Sequence, residues 1–94
     1  MNVNERFLNI MHNVMLSDKY TILVDGIESR VYEHLNSNSI CIGIGESVCK
    51  DFNLNEIQDL ALSKNYAFFC LPDGEERIVE IVKRVDFSEL ENQL

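Results

Sequence analysis

The sequence lacks the segments and residues that mark membrane-spanning and secreted proteins. No apolar run approaches the ~18 residues that a membrane-spanning helix needs, so no transmembrane helix is predicted. At the N-terminus, Glu5 and Arg6 precede an interrupted apolar stripe, which is unlike the basic start and continuous apolar core of a signal peptide. The three cysteines are an odd number, so reduced thiols are expected rather than a disulfide framework. These absences predict a cytoplasmic protein.

Basic residues are also scarce. The chain has 8 Lys and Arg against 16 Asp and Glu, which gives a formal net charge of −8. Only Lys83 and Arg84 are adjacent, whereas binding to phosphate groups needs clustered cations. Direct contact with nucleic acid or with an anionic membrane is therefore not expected. The negative charge either attracts a basic partner or simply keeps a small protein soluble, and composition leaves both interpretations open.

Length and composition predict one globular domain over residues 1–94.

Apolar residues recur at three- and four-residue spacing from Val3 to Met15, which predicts an N-terminal helix. Asn2 and Glu5 have the spacing of a capping box at its start. The helix should end at the polar pair that begins with Ser17.

A β-hairpin is predicted next. The segments Tyr20–Val24 and 27–35 flank Asp25-Gly26, which suits a two-residue type I′ turn. That turn would place Val24 opposite Ile27 and leave one face of the hairpin mostly apolar.

The middle of the chain predicts a strand, a helix and a second strand. Ile40–Ile44 alternates like a strand, and the polar residue Asn53 then precedes an apolar stripe at helical spacing that runs to Ala61. The aromatic run 66–71 predicts a central strand. Since Phe68 and Phe69 point to opposite sides of it, both faces of that strand are expected to be covered.

The last third begins with Pro72-Asp73-Gly74-Glu75, a turn sequence that predicts a hairpin returning through residues 77–85. A helix is the alternative there, but the β-branched residues favour a strand. Residues 86–94 are interpreted as a short final helix or a frayed tail. The resulting fold class is α+β, with a mostly antiparallel sheet of four to five strands and two or three helices packed mainly on one face, in the order α-β-β-β-α-β-β-(α).

The segment from Gly43 to Cys49 is the most suggestive motif for ligand binding. Its two glycines follow a predicted strand, but Val48 stands where a dinucleotide fingerprint requires a third glycine, and no P-loop triplet occurs. A bulge or a tight exit from the strand is the favoured interpretation. A small-molecule site is kept as the alternative, and its residues would be Gly43, Gly45, Ser47 and Cys49.

No catalytic or metal site is predicted. Both histidines, His12 and His34, precede Ser47, which is incompatible with the chain order of a hydrolase with a nucleophile elbow. The three cysteines and His34 lack the paired half-sites of a zinc centre. The chain is therefore expected to be a non-enzyme without cofactor or metal.

Protein–protein interaction is the function class that remains. The leading hypothesis is an inhibitor or neutralising factor, of the viral counter-defence, antitoxin or immunity type, that binds a basic surface on a partner such as a nucleic-acid-processing protein. A ligand-binding subunit or small enzyme, and a regulatory homo-oligomer such as a homodimer, are the alternatives. The acidic surface proposed for the partner comprises Glu75, Glu76, Asp86, Glu89, Glu91, Asp51, Glu56 and Asp59.

Overall fold

The computed structural model describes residues 2–34, 39–45 and 52–84. In this part of the chain, one helix packs on a seven-stranded antiparallel sheet whose strand order is β4-β3-β2-β1-β7-β6-β5. The elements are α1 (Val3–Leu16), β1 (Tyr20–Val24), β2 (Ile27–Glu33), β3 (Ile40–Ile44), β4 (Phe52–Asn53), a short 3-10 helix (Leu54–Glu56), β5 (Gln58–Ser63), β6 (Tyr66–Cys70) and β7 (Glu76–Lys83).

The N-terminal helix and its cap are confirmed. The Asn2 side chain accepts a hydrogen bond from the Glu5 backbone N–H at 2.8 Å, and its amide donates to the Glu5 carboxylate at 3.2 Å. Phe7 and Met11 lie on the buried stripe of α1 and face the sheet. Burying each of these side chains contributes about 2 kcal/mol. No helix among the described residues is long and apolar enough to cross a membrane.

The first hairpin is also confirmed, with its register. Asp25 and Gly26 both have positive φ angles, of 51° and 82°, as a type I′ turn requires. Val24 pairs with Ile27, as expected from the turn. Ile22 and Val24 then face α1 and are fully buried.

Asp25 ties this turn to the neighbouring strand β7. Its backbone N–H donates to the Ile78 carbonyl at 2.9 Å, and its carboxylate accepts from the Ile78 N–H at 3.0 Å. The other carboxylate oxygen lies 3.6 Å from the Arg77 guanidinium. The turn residue therefore helps to fix the position at which β1 meets β7.

An Asp25→Ala variant should lose about 1–2 kcal/mol of unfolding free energy, because it removes an acceptor and places alanine at a positive φ. Asp25→Asn should lose less than about 0.5 kcal/mol, since asparagine keeps the acceptor and tolerates that φ. Urea denaturation of the two variants beside the wild type measures the difference. Equal losses of unfolding free energy would show that the two properties that asparagine keeps, the acceptor for the Ile78 N–H and the tolerance of positive φ, do not stabilise the turn.

The sheet curls around α1 into a half-barrel. The rings of Phe52 in β4 and Phe69 in β6 lie 5.5 Å apart, although these strands are near opposite ends of the strand order. Phe7 of α1 lies 5.9 Å from the same Phe69 ring. The two edge strands β4 and β5 are joined directly by residues 54–57, in which Leu54 and Ile57 are buried. The sheet therefore has an inner face on α1 and an outer face turned away from it.

The prediction of a second helix is wrong. The segment after Asn53 forms a 3-10 helix of only three residues and then strand β5, which pairs with β6. The Asn53 side chain does cap, but it accepts from the Asn55 N–H at 2.8 Å, and Ile57 returns to extended backbone. Glu56 and Asp59, expected on a helix, lie on the 3-10 helix and on a strand instead.

The fold-class prediction is therefore wrong in its element count. The described residues hold seven strands and one α-helix, where four to five strands and two or three helices were expected. The predicted third strand is confirmed as β3 and the final strand as β7, which begins at Glu76. The proposed terminal helix over residues 86–94 lies outside the described residues.

Candidate functional site

The outer face of β6 and β7 exposes a cluster of large apolar side chains. Tyr66, Phe68 and Ile78 are 39%, 40% and 44% exposed. Phe68 and Ile78 are directly paired across the two strands, and the rings of Tyr66 and Phe68 stack at 6.3 Å. Alternate residues of a strand share a face, so the three side chains form one continuous surface.

Carboxylates flank this cluster on both sides. Glu80 pairs with Tyr66, and Glu76 pairs with Cys70, both on the outer face. Asp59 and Glu76 line an open depression of about 420 Å³ beside Phe68. We call the six residues of this surface the outer patch: Tyr66, Phe68 and Ile78 with Asp59, Glu76 and Glu80.

Asp59 reaches the depression because β5 is irregular at that point. Its register against β6 shifts between Gln58 and Ala61, and Asp59 has a φ of 56°. Aspartate tolerates this left-handed conformation better than most residues. A bulge re-aims the side chain it displaces, which brings Asp59 to the same depression as Glu76.

Tyr66 and Glu80 interact across the strands. A hydrogen bond with the Glu80 side chain, reinforced by the negative charge of that carboxylate, raises the pKa of the Tyr66 phenol above its ordinary 10.0. The interaction that favours the neutral phenol is fully present below pH 10 and is lost as the pH rises through the raised pKa. At neutral pH, Tyr66 is therefore an uncharged aromatic group beside a negative charge.

Arg77 lines the same depression as Asp59 and Glu76, but its guanidinium is paired with other carboxylates. Arg77 forms ion pairs with Glu75 and, at 3.6 Å, with Asp25. Within residues 2–34, 39–45 and 52–84, no ion pair involves the carboxylates of Asp59 or Glu76. The outer patch is therefore apolar at its centre and negatively charged at its rim.

The structure brings together only part of the acidic surface predicted from sequence. Asp59 and Glu76 meet in the depression, whereas Glu75 is engaged by Arg77 and Glu56 is exposed on the 3-10 helix. Asp51, Asp86, Glu89 and Glu91 lie outside the described residues.

Four further residues of the outer patch, Tyr66, Phe68, Ile78 and Glu80, were missed as site residues. None of them was predicted to bind a partner, and both faces of the aromatic strand were expected to be covered. That expectation is wrong, because Phe69 is 3% exposed on the inner face while Phe68 is 40% exposed on the outer one. The alternation of the strand was visible in the sequence. The sequence did not show that no second layer of described residues covers Phe68.

The glycine segment offers no assembled site in the described part of the chain. Gly43 is buried in β3 opposite Arg30, and Gly45 ends that strand with a φ of 62°. Positive φ accounts for glycine at this exit. Ser47 and Cys49 lie outside the described residues. Among the residues described, no group of three or more His, Cys, Asp or Glu side chains could hold a metal ion.

Comparison with protein-family models, with curated proteins and with solved structures found no match to this chain. The chemistry of the surface itself therefore has to indicate its function.

Proposed function

We propose that this protein is a non-catalytic interaction protein, an inhibitor or neutralising factor, that binds a basic surface of a partner protein through the outer patch. The observation that carries the proposal is the exposed pair Phe68 and Ile78 beside the carboxylates of Asp59 and Glu76. Contiguous exposed apolar side chains rimmed by polar groups are typical of protein-binding surfaces.

The apolar and the charged residues of the patch contribute differently to binding. Aromatic anchors at the centre of an interface supply most of the binding energy once they are desolvated. Charges at the rim steer the encounter and reject partners of like sign. A net charge of −8 extends that steering over the whole molecule. The partner should therefore present Lys or Arg side chains around an apolar depression.

Proteins that process nucleic acids present basic surfaces of this kind, because they must bind phosphate groups. A protein that occupies such a surface blocks access of the nucleic acid without any chemistry of its own. The proposal includes a cytoplasmic location, which the thiols of Cys41 and Cys70 support, since neither is part of a disulfide.

The proposal is tested by comparative capture from a lysate of the source cells, with wild-type and variant proteins as bait. Phe68→Asp and Glu76→Lys change the outer patch at exposed positions. Ile27→Asp and Glu33→Lys are the matched controls, because they introduce the same side chains at exposed positions elsewhere on the sheet. A specific partner should be retained by the wild type and both controls and lost by both patch variants.

Two results would overturn the proposal. The first is a partner set that does not change in the Phe68→Asp and Glu76→Lys baits. The second is a wild-type dimer in light scattering that Phe68→Asp converts to a monomer, since the patch would then join two copies of this chain. Melting curves for every bait exclude unfolding as the cause of a lost partner.

A further inference from the structure

A groove runs along α1 on the inner side of the sheet, and it meets the outer patch only at Tyr66, which lines one end of it. It consists of two adjoining depressions that share Ile10 of the helix and Ile81 of β7. The larger one, about 310 Å³, extends along Val14 to Tyr20, and the smaller one, about 100 Å³, extends towards the turn between β5 and β6. We call this combined surface the helix groove.

The helix groove is lined by positively charged residues, whereas the protein as a whole is negatively charged. Arg6 and Lys64 line its smaller end, and no Asp or Glu is among the described residues that line either depression. The whole chain, by contrast, has twice as many acidic as basic residues. Neither cation forms an ion pair with another described residue. The carboxylate of Glu5, next to Arg6 in sequence, accepts a hydrogen bond from the Asn2 side chain.

The apolar part of the groove is continuous with this cationic end. Ile10 and Ile81 are only partly buried, and they pack at the margin of the core. The larger depression is lined mainly by apolar surface, and its polar residues are Asn13, Ser17 and Tyr20. A ligand that lay here would bury an apolar chain on the isoleucines and present its other end to two cations.

We propose that the helix groove binds an aliphatic carboxylate, with its chain along Ile10 and Ile81 and its carboxylate at Arg6 and Lys64. Apolar burial favours the chain, and charge-assisted hydrogen bonds from the two cations select the carboxylate over an uncharged or cationic end. Apart from Tyr66 at its smaller end, the site shares no residue with the outer patch. Its existence therefore does not depend on the function proposed for that patch.

The test is calorimetric titration of the full-length protein with three ligands of equal chain length: decanoate, decanol and decyltrimethylammonium. The wild type should bind decanoate about tenfold more tightly than decanol, as expected for a charge-assisted contact, and should not bind the cation. In an Arg6→Gln/Lys64→Gln variant, the affinity for decanoate should fall about tenfold, to that of decanol. Arg77→Gln removes a cation that lies in the depression beside Phe68 and lines neither part of the helix groove, so it should leave the decanoate affinity unchanged.

Methyl chemical shifts locate the bound chain, and Ile10 and Ile81 should move while the exposed Ile78 on the outer face does not. Both substituted cations are exposed, so the double variant should retain the wild-type melting temperature. Absence of decanoate binding to the wild type would overturn the proposal. So would equal affinities for decanoate and decanol, or an undiminished decanoate affinity in the double variant.

Discussion

Replacing Phe69 by alanine will remove much of the protein's stability, whereas the same substitution at the adjacent Phe68 will leave the fold intact. Phe69 is 3% exposed and packs its ring against those of Phe7 and Phe52, at 5.9 and 5.5 Å. Truncating such a buried ring costs about 3–5 kcal/mol, against a total of about 5–15 kcal/mol for an ordinary domain. Phe68 lies on the outer face and is 40% exposed, so its truncation should cost less than about 1 kcal/mol.

Urea denaturation of Phe69→Ala, Phe68→Ala and the wild type checks this pair of expectations. The midpoint should fall strongly for Phe69→Ala and only slightly for Phe68→Ala, with similar slopes. Phe69→Leu, which keeps most of the apolar volume, should lie between Phe69→Ala and the wild type. Similar midpoints for the two alanine variants would contradict the assignment of the two faces of β6.

The second large effect concerns the kinetics of partner binding. Once a partner has been captured, Phe68→Ala should raise its dissociation rate about 30-fold or more, which corresponds to the roughly 2 kcal/mol of an interface hot spot. A Glu76→Gln/Asp59→Asn variant should instead lower the association rate, because rim charges steer the encounter. The wild-type association rate should fall as salt is raised, and this dependence should weaken in the charge variant.

Surface plasmon resonance at several salt concentrations separates these two rates. Glu33→Gln is the control for a neutralised carboxylate away from the outer patch, and it should change neither rate appreciably. If Phe68→Ala slowed association and left dissociation unchanged, the apolar cluster would not anchor the partner. If the charge variant kept the wild-type salt dependence, the carboxylates of the patch would not contribute to steering.

The local features that the sequence predicted correctly are those in which one or two residues determine the backbone. Asn2 and Glu5 cap α1 because side chains of these types bond the free N–H groups of a first turn. Asp25 and Gly26 form the type I′ turn because they tolerate the positive φ angles that it requires. In both cases the residues that decide the structure are adjacent or one turn apart.

The second helix was predicted wrongly because the segment's local preferences differ from its tertiary environment. Residues 58–63 contain no β-branched side chain, and the stripe from Leu54 to Ala61 has helical spacing. The pairing of β5 with β6 overrides that preference. The bulge at Asp59 shifts the alternation of the strand, so that a strand there produces spacings that resemble those of a helix.

The candidate site was only partly predictable for a related reason. The sequence identified Asp59 and Glu76 as acidic surface, but it gave no indication that the two lie beside one another. They meet because β5, β6 and β7 are consecutive neighbours in the sheet. Exposure of Phe68 depends on which layers cover the sheet, and that is a property of the whole fold.

The pairing of β1 with β7 has a consequence for how this chain folds. Among the described residues, every other strand pair joins elements that are near in sequence, but here Tyr20 is paired with Lys83. The two meanders on either side of this pairing, β1 to β4 and β5 to β7, can each form locally and early. The pairing of β1 with β7 has most of the entropic cost of loop closure. During synthesis on the ribosome, β1 thus presents an unpaired edge until almost the whole chain has emerged. Folding of this small protein is therefore expected to be late and cooperative, with the docking of the two meanders as its slow step.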